Sequence, residues 1–289
     1  TQGTRIAGVT SYGRTGTVAH VVLAEPPVRE APPPSPDRPA HVLVLSARSE
    51  SALRTRAGHL ARFLETGTAP LGDVCFTAAA GRTHFEHRLA VVGTSAEALR
   101  ERLHAALASP LPAPVRAAPG VGFVLGGAGP VDPEGHRVLL ATLPVYREAW
   151  EACGPDAGPG TPREAFARGW ALTRVWRAWG VHPEAHEARG VGAWVALVDT
   201  DRLGLEEGLR GALSGRPAPW SSGPASPEAG RGREMLRLEE HTGWAPLLEA
   251  LGVLYTRGAA VDWAAVHAGP TRRRVVLPTY PFERRRYWL

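Results

Sequence analysis

The sequence predicts the α/β (α+β) class, with a small sheet-and-helix domain, a second α/β part and extended segments that wrap around both. Three observations support this class. Between residues 41 and 108, short β-branched runs alternate with stretches of helical apolar periodicity. A second short apolar run, Val121–Leu125, is followed by glycines. Prolines concentrate in two stretches, 26–39 and 109–120, which separate these parts.

The first forty residues predict one strand and one connector. Residues 1–25 end in the apolar run Val18–Leu23, which is typical of a strand and is preceded by Gly-rich turns. Residues 26–40 contain seven prolines among charged residues, and proline lacks the backbone donor that helices and sheets use. We expect this segment to be a semi-rigid, extended connector.

Residues 41–110 predict the small domain, beginning with a strand at His41–Leu45 and an N-cap at Ser49. The helix after Ser49 carries one apolar face, formed by Leu53, Ala57, Leu60 and Leu64. Asp73 is expected to cap a second helix that Gly81 stops. We expect a layer of two or three strands, covered by helices.

The same domain ends with a strand and a third helix. His87–Val92 predicts the strand, and Ser95 opens the helix. The apolar face of that helix is formed by Leu99, Leu103 and Leu107.

The remaining residues predict three further segments. In the second α/β part, 120–213, Thr161 as N-cap and Pro162 at the first helical position predict a helix that continues to Trp179. Residues 214–240 are expected to form a loop. In 241–289, a last helix over 246–255 precedes an extended tail.

Composition excludes several function classes. The net charge of +5 comes from arginine alone, since lysine is absent, and the arginines are scattered among acids, which argues against nucleic-acid binding. No apolar run is long enough to span a bilayer. The two cysteines, Cys75 and Cys153, do not form a disulfide framework, which favours a reducing, cytoplasmic location.

No cofactor and no metal is expected. The pairs His84/His87 and His182/His186 lack a third ligand nearby, and a surface or linker position is the better interpretation of each. The glycines at 126–129 lack the lysine and the helix-opening serine or threonine of a phosphate loop.

Three stretches, in the correct order, resemble modular type I polyketide synthases. VTSYGRTGTVAHVVL at 9–23 resembles the closing strand and Gly-rich loop of the ketosynthase. Residues 41–108, with LSARS at 45–49 and GRTHFEHRLAVVG at 81–93, resemble the ketosynthase-acyltransferase linker domain. LPTYPFERRRYWL at 277–289 resembles the post-acyltransferase linker, which implies that 241–289 folds back over the other parts.

The resemblance also implies an acyltransferase between these stretches, but only a truncated, degenerate remnant fits there. In the family, a serine stands at the apex of a GHSxG elbow after a histidine, and a loop glutamine helps to receive the oxyanion. The matching positions here are Gly190 for the serine, Arg189 for the histidine and Ala128 for the glutamine. The sequence therefore predicts no catalytic residue in this chain.

The resemblance implies a function as well. We expect a non-catalytic scaffold that positions the ketosynthase of the same polypeptide and docks a separate acyltransferase or acyl carrier protein. The alternative is a fragment of an active acyltransferase module, acting on a malonyl-type CoA, whose catalytic residues lie outside this chain. A cryptic hydrolase is disfavoured because no serine elbow is present. The parent is expected to dimerise through its ketosynthase.

The tail carries the predicted structural and docking residues. Its alternation places Tyr280 and Phe282 on one side of an extended segment, where both rings are expected to be buried. Tyr287 and Trp288 resemble residues that reach the ketosynthase in the family. We expect this tail to be a packed linker, because exposed arginine contacts contribute little.

Overall fold

The structure is a computed structural model that describes residues 3–26, 37–126, 132–154, 158, 160–219, 233–283 and 288. Its strands are β1 Ile6–Tyr12, β2 Val18–Ala24, β3 His41–Ala47, β4 His87–Gly93, β5 Gly120–Leu125, β6 Ala185–Ala188 and β7 Arg233–Arg237. Its α-helices are α1 Glu50–Thr66, α2 Leu71–Ala80, α3 Ala96–Ala108, α4 Pro133–Thr142, α5 Pro144–Glu151, α6 Pro162–Ala178, α7 Val191–Asp199, α8 Leu205–Leu213, α9 Trp244–Thr256 and α10 Trp263–Val266. This mixture of helices and small sheets confirms the predicted α/β (α+β) fold class. Contacts divide the chain into two units, Thr1–Pro34 and Ser35–Leu289.

The first unit contains an antiparallel hairpin in which Ile6 pairs with Ala24 and Tyr12 with Val18. The predicted strand at Val18–Leu23 is confirmed. The expectation that Gly-rich turns fill the region before it is wrong. Ile6–Tyr12 forms the partner strand, and the turn is confined to Gly13–Thr17. Every residue of both strands is exposed, and the apolar ones include Val9, Val21 and Leu23.

In the second unit, β3 and β4 form an antiparallel pair that is covered on both faces. On one face, Leu43 and Leu45 pack with leucines of α1 and α3. On the other, Val42 and Val44 belong to a cluster that includes Leu247 and Leu251 of α9. The predicted register is confirmed, because Leu53, Ala57, Leu60, Leu64, Leu99 and Leu103 are all buried.

Local capping explains where these helices begin. Ser49 Oγ accepts a hydrogen bond from Ala52 N, and Ser95 Oγ accepts one from Ala98 N, as predicted. The predicted cap at Asp73 is wrong, because α2 begins at Leu71 after Pro70. The Asp73 carboxylate instead accepts a hydrogen bond from the backbone of Arg273, and so fastens the C-terminal tail.

The second α/β part is a three-stranded parallel sheet in the order β6-β5-β7. Its core is continuous with the α9 face of the small domain, and its fully buried rings include Trp176, Trp179, Phe166 and Tyr146. The predicted cap and first residue of α6 are confirmed, since Thr161 Oγ1 accepts a hydrogen bond from Glu164 N. Residues 233–240, expected as the end of a loop, form β7 and a 3-10 turn instead.

A buried polar cluster joins the start of the small domain to the C-terminal segment, residues 241–289. Arg38 is 4% exposed and donates to the Val266 carbonyl at 2.9 Å, while its other terminal nitrogen lies 3.1 Å from His267 Nδ1. Arg272 pairs with the carboxylate of Asp37 at 2.7 Å. Desolvation and the nearby arginine charges lower the pKa of His41 to about 4 and that of His267 to about 2.

The tail from 272 to 283 packs along the small domain and has no regular secondary structure. Val275 N donates to Thr77 Oγ1, Leu277 is buried, and the Tyr280 hydroxyl accepts from Arg48 N at 3.0 Å. The expected burial of Phe282 is wrong, because its side chain is 81% exposed and touches the rest of the chain mainly through Tyr280, at 5.2 Å between ring centroids. Trp288 is 94% exposed, and Tyr287 lies outside the described residues.

These contacts separate the contributions of the two rings. Tyr280→Ala is expected to reduce the free energy of unfolding by about 2 kcal/mol, since it removes a hydrogen bond and the packing on Phe85. Phe282→Ala is expected to change it by less than about 0.5 kcal/mol. Thermal melting of both variants, beside one with Arg284, Arg285 and Arg286 changed to Gln, measures this. A larger loss for Phe282→Ala than for Tyr280→Ala contradicts the assignment.

Within the described residues, no helix is both long and apolar enough to cross a membrane.

Candidate functional site

The parallel sheet places the candidate site where its strands end. β6 ends at Ala188, and the chain turns through Arg189 and Gly190 directly into α7. Gly190 has φ 54° and ψ −128°, a conformation that a residue with a side chain adopts only under strain. This is the sharp strand-to-helix form on which a nucleophilic serine sits in acyl-transferring and hydrolytic sites. Here the apex is a glycine.

Close packing holds this turn against the central strand. Arg189 N donates to the Leu125 carbonyl at 2.9 Å. A Cβ on Gly192 would lie 2.2 Å from that same carbonyl oxygen, so only glycine permits this approach. Among the described residues, a Cβ on Gly190 would meet one atom within 4 Å, the Gly126 carbonyl oxygen at 3.7 Å. The described residues thus leave space at the apex for a side chain that the sequence does not supply.

A carboxylate lies at the same edge of the sheet. Glu239, in the 3-10 turn after β7, accepts a hydrogen bond from Gly126 N with both oxygens, at 3.0 and 3.1 Å. Acyl transfer needs hydrogen-bond donors where negative charge develops on the substrate oxygen. A carboxylate that occupies a backbone donor beside the elbow opposes such charge. The sequence offers no signal for this contact, because 113 residues separate the partners.

A buried ionic cluster connects the two elements that flank the elbow, β6 and α7, with α6. Asp199, at the end of α7, accepts from Arg177 Nε at 2.5 Å, and its second oxygen lies 2.7 Å from His186 Nε2. Desolvation alone would raise the pKa of Asp199, but the hydrogen bonds with His186 and Arg177 outweigh it, so the pKa is lowered. The surface position expected for His186 is wrong, since its side chain is 6% exposed.

The structure brings some predicted site residues together and leaves others apart. Gly190 and Arg189 share the exposed apex of the elbow. Tyr280 packs on Phe85 of the small domain and Phe282 lies beside Tyr280, both far along the chain from that apex. Ala128 lies outside the described residues. His241 is half-buried against Trp176, and desolvation lowers its pKa. Among the described residues, no three His, Cys, Asp or Glu side chains group as metal ligands would.

Fold and elbow together define a class. A parallel sheet with a strand-turn-helix elbow, joined to a small domain of two strands and three helices, is an acyltransferase-like region. The family model described as CurL-like, PKS C-terminal matches residues 41–103. The solved structure of the acyl transferase domain of ZmaA is similar, with a TM-score of 0.54 at 25% identity, over 63% of this chain and 49% of that one.

Similar proteins of known identity indicate the family to which the chain belongs. Polyketide synthase GfsB from Streptomyces halstedii is 33% identical over 261 residues, covering 71% of this chain and 5% of the relative. The spectinabilin polyketide synthase system protein NorC from Streptomyces orinoci is 30% identical over 398 residues, covering 98% of this chain and 17% of the relative. The chain is a stretch of modular polyketide synthase sequence that includes an acyltransferase-like region. It spans less than a fifth of either relative.

The alignment with NorC also bears on length. It extends over 398 positions, whereas this chain has 289 residues, so it contains more than a hundred positions at which this chain has none. A shortfall of this kind agrees with the three strands that the described residues of this part form.

Proposed function

We propose that this segment is a non-catalytic scaffold of a modular type I polyketide synthase. It positions the ketosynthase domain of the same polypeptide and presents a docking surface to a separate acyltransferase or acyl carrier protein. The observation that carries the proposal is Gly190 at the apex of the elbow, because glycine has no atom that can attack a thioester.

The surroundings of the apex support the same proposal. Arg189 stands where the resembling family has a histidine, and Glu239 takes up the backbone donor of Gly126. Among the described residues, no imidazole nitrogen lies within 4 Å of a Cβ at position 190. This absence among the described residues supports the proposal, because a nucleophilic hydroxyl needs a general base beside it.

The remaining contacts suit a structural role. The tail binds the small domain through Asp73, Thr77 and Arg48, and Arg38 joins that domain to the C-terminal segment. The hairpin of the first unit exposes apolar side chains along both strands, as a strand pair taken from a larger sheet would. The ketosynthase of the same polypeptide is the partner we assign to it, and dimerisation of the parent follows from that domain.

The chain is expected to remain unacylated. After incubation with malonyl-CoA or methylmalonyl-CoA, its intact mass should be unchanged, while an active polyketide synthase acyltransferase treated in parallel gains the acyl group. Gly190→Ser is expected to remain unacylated too, because the base is missing and Glu239 opposes the oxyanion. A stoichiometric adduct on the parent chain that survives dialysis contradicts the proposal.

The relatives favour a second candidate, a fragment of an active acyltransferase module. In that case, a longer polypeptide that contains this segment is labelled by malonyl-CoA at a serine outside it. Peptide mapping of the labelled polypeptide separates the two candidates, since the scaffold requires acyl groups to arrive from a separate acyltransferase.

A further inference from the structure

Three arginines surround a cavity of about 510 Å³ between the small domain and the C-terminal tail. Arg48 follows β3, Arg56 lies in α1, and Arg82 follows α2. Thr83 and three aromatic rings, those of Phe85, Tyr280 and Phe282, form the rest of the lining. The volume lies within the range of sites that hold small organic ligands.

The charges of these arginines are not balanced by carboxylates. Within the described residues, none of the three forms an ion pair with an aspartate or glutamate. Arg56 is 8% exposed and donates to the Ser46 carbonyl at 2.7 Å, and Arg82 donates to the Gly81 carbonyl at 3.1 Å. Desolvation, followed by the charge of Arg82, lowers the pKa of Arg56, as expected for a cation without a counterion.

One carboxylate lies near the rim. Glu283 accepts from Ser49 Oγ at 2.6 Å, beside Arg48 but outside the lining. A single glutamate at the edge leaves an excess of positive charge inside. Each guanidinium has five donors, and protein carbonyls take only one from Arg56 and one from Arg82, so several remain for a ligand.

The rings give the cavity an apolar wall. The Arg48 guanidinium lies over the Phe85 ring at 5.2 Å, and the Tyr280 ring meets the Phe85 ring edge-on at 5.7 Å. Phe282 is 81% exposed and continues this wall outward from Tyr280. Such a large ring left in water at a cavity mouth is suited to close over a bound apolar group.

We propose that this cavity binds a phosphate ester whose organic group is aromatic or apolar. Arginine recognises phosphate through paired donors on a planar fork, and three arginines line this cavity. The rings would hold the organic group, so neither the phosphate nor the ring alone satisfies the cavity. The site is separate from the elbow and independent of the scaffold function.

Calorimetric titration of the full chain with phenyl phosphate tests this proposal. Phenyl phosphate should bind with one site per chain, and inorganic phosphate and phenol should each bind at least about 10-fold more weakly, because each offers half of the required contacts. Binding should weaken as NaCl is raised. No detectable binding of phenyl phosphate at 10 mM, or equal binding of inorganic phosphate, overturns the proposal.

Paired variants distinguish a site from general attraction to a basic surface. Arg48→Gln with Arg82→Gln should lower the affinity at least about 10-fold, and Phe282→Ala about 3-fold, with thermal midpoints close to that of the unmodified chain. Arg62→Gln, on the exposed side of α1, is the matched control and should bind as the unmodified chain does. Equal losses in Arg62→Gln and the double variant contradict a specific site.

Discussion

Acidification from pH 7.5 to pH 5 is expected to reduce the free energy of unfolding of the second unit by about 4 kcal/mol. His41 and His267 are buried at the joint between the small domain and the C-terminal segment, at 6% and 4% exposure. Their pKa values in the folded chain are lowered to about 4 and about 2 by desolvation and by Arg38. Both are neutral when folded and free to bind protons when unfolded.

The sign follows from which state binds more protons. Unfolded histidine has a pKa of about 6.5, so below that pH the unfolded chain takes up protons that the folded chain does not. Stability is therefore full above about pH 6.5 and is lost as the pH falls from there, toward about 4 for His41 and about 2 for His267. Each histidine contributes about 2 kcal/mol of this loss at pH 5. The attraction of Asp37, 4.0 Å from His41, opposes the lowered pKa of that histidine.

Urea unfolding at pH 7.5, 6.5, 5.5 and 5.0 measures this dependence. His267→Asn is the informative variant, because an amide oxygen can replace Nδ1 as the acceptor for Arg38 but cannot take up a proton. It should remove about half of the loss. The burial assignment is contradicted by stability that is constant over this range, or by an unchanged slope in His267→Asn.

Gly192→Ala is expected to destabilise the acyltransferase-like part by about 3 kcal/mol or more. The added Cβ would lie 2.2 Å from the Leu125 carbonyl oxygen and 2.5 Å from the carbonyl carbon, and neither backbone atom can move without shifting β5. Because β5 is the central strand, the shift would reach both of its neighbours.

Alanine substitutions at two further glycines, Gly190 and Gly58, serve as comparisons for Gly192→Ala. Gly190→Ala meets no clash with the described residues but must keep φ 54°, which costs about 1–3 kcal/mol. Gly58→Ala has open space in the middle of α1 and should stabilise the chain by about 0.5–1 kcal/mol. Urea unfolding of the three variants should rank them in this order. A Gly192→Ala variant that is as stable as Gly58→Ala contradicts the claim that only glycine at position 192 permits the close approach of the Leu125 carbonyl.

Elements fixed by local chemistry were predictable from the sequence. Ser49, Ser95 and Thr161 cap their helices with their own hydroxyls, and the signal lies within four residues of each. The strands β6 and β7 were missed because AHEA and REMLR carry no apolar alternation, and both are strands only through their pairing with β5.

The candidate site was predictable only where a motif marks it. The elbow could be placed at Gly190 because the resembling family has a fixed pattern there. Glu239 and the arginine-lined cavity come from segments far apart in sequence, and only tertiary structure brings those segments together. Phe282 was misjudged because alternation fixes the side of an extended chain and not whether another surface covers it.

The pairing of β5 with β7 has a consequence for how this chain could lose length. Topologically, the acyltransferase-like part is an insertion, since the chain leaves the small domain after α3 and returns to it through α9. Its first and last strands are hydrogen-bonded neighbours, with Gly120 opposite Arg233. Closing a loop between ends that are held together costs only about 0.6 kcal/mol for each doubling of its length. An insertion anchored in this way can be shortened by whole elements while the host domain keeps its core.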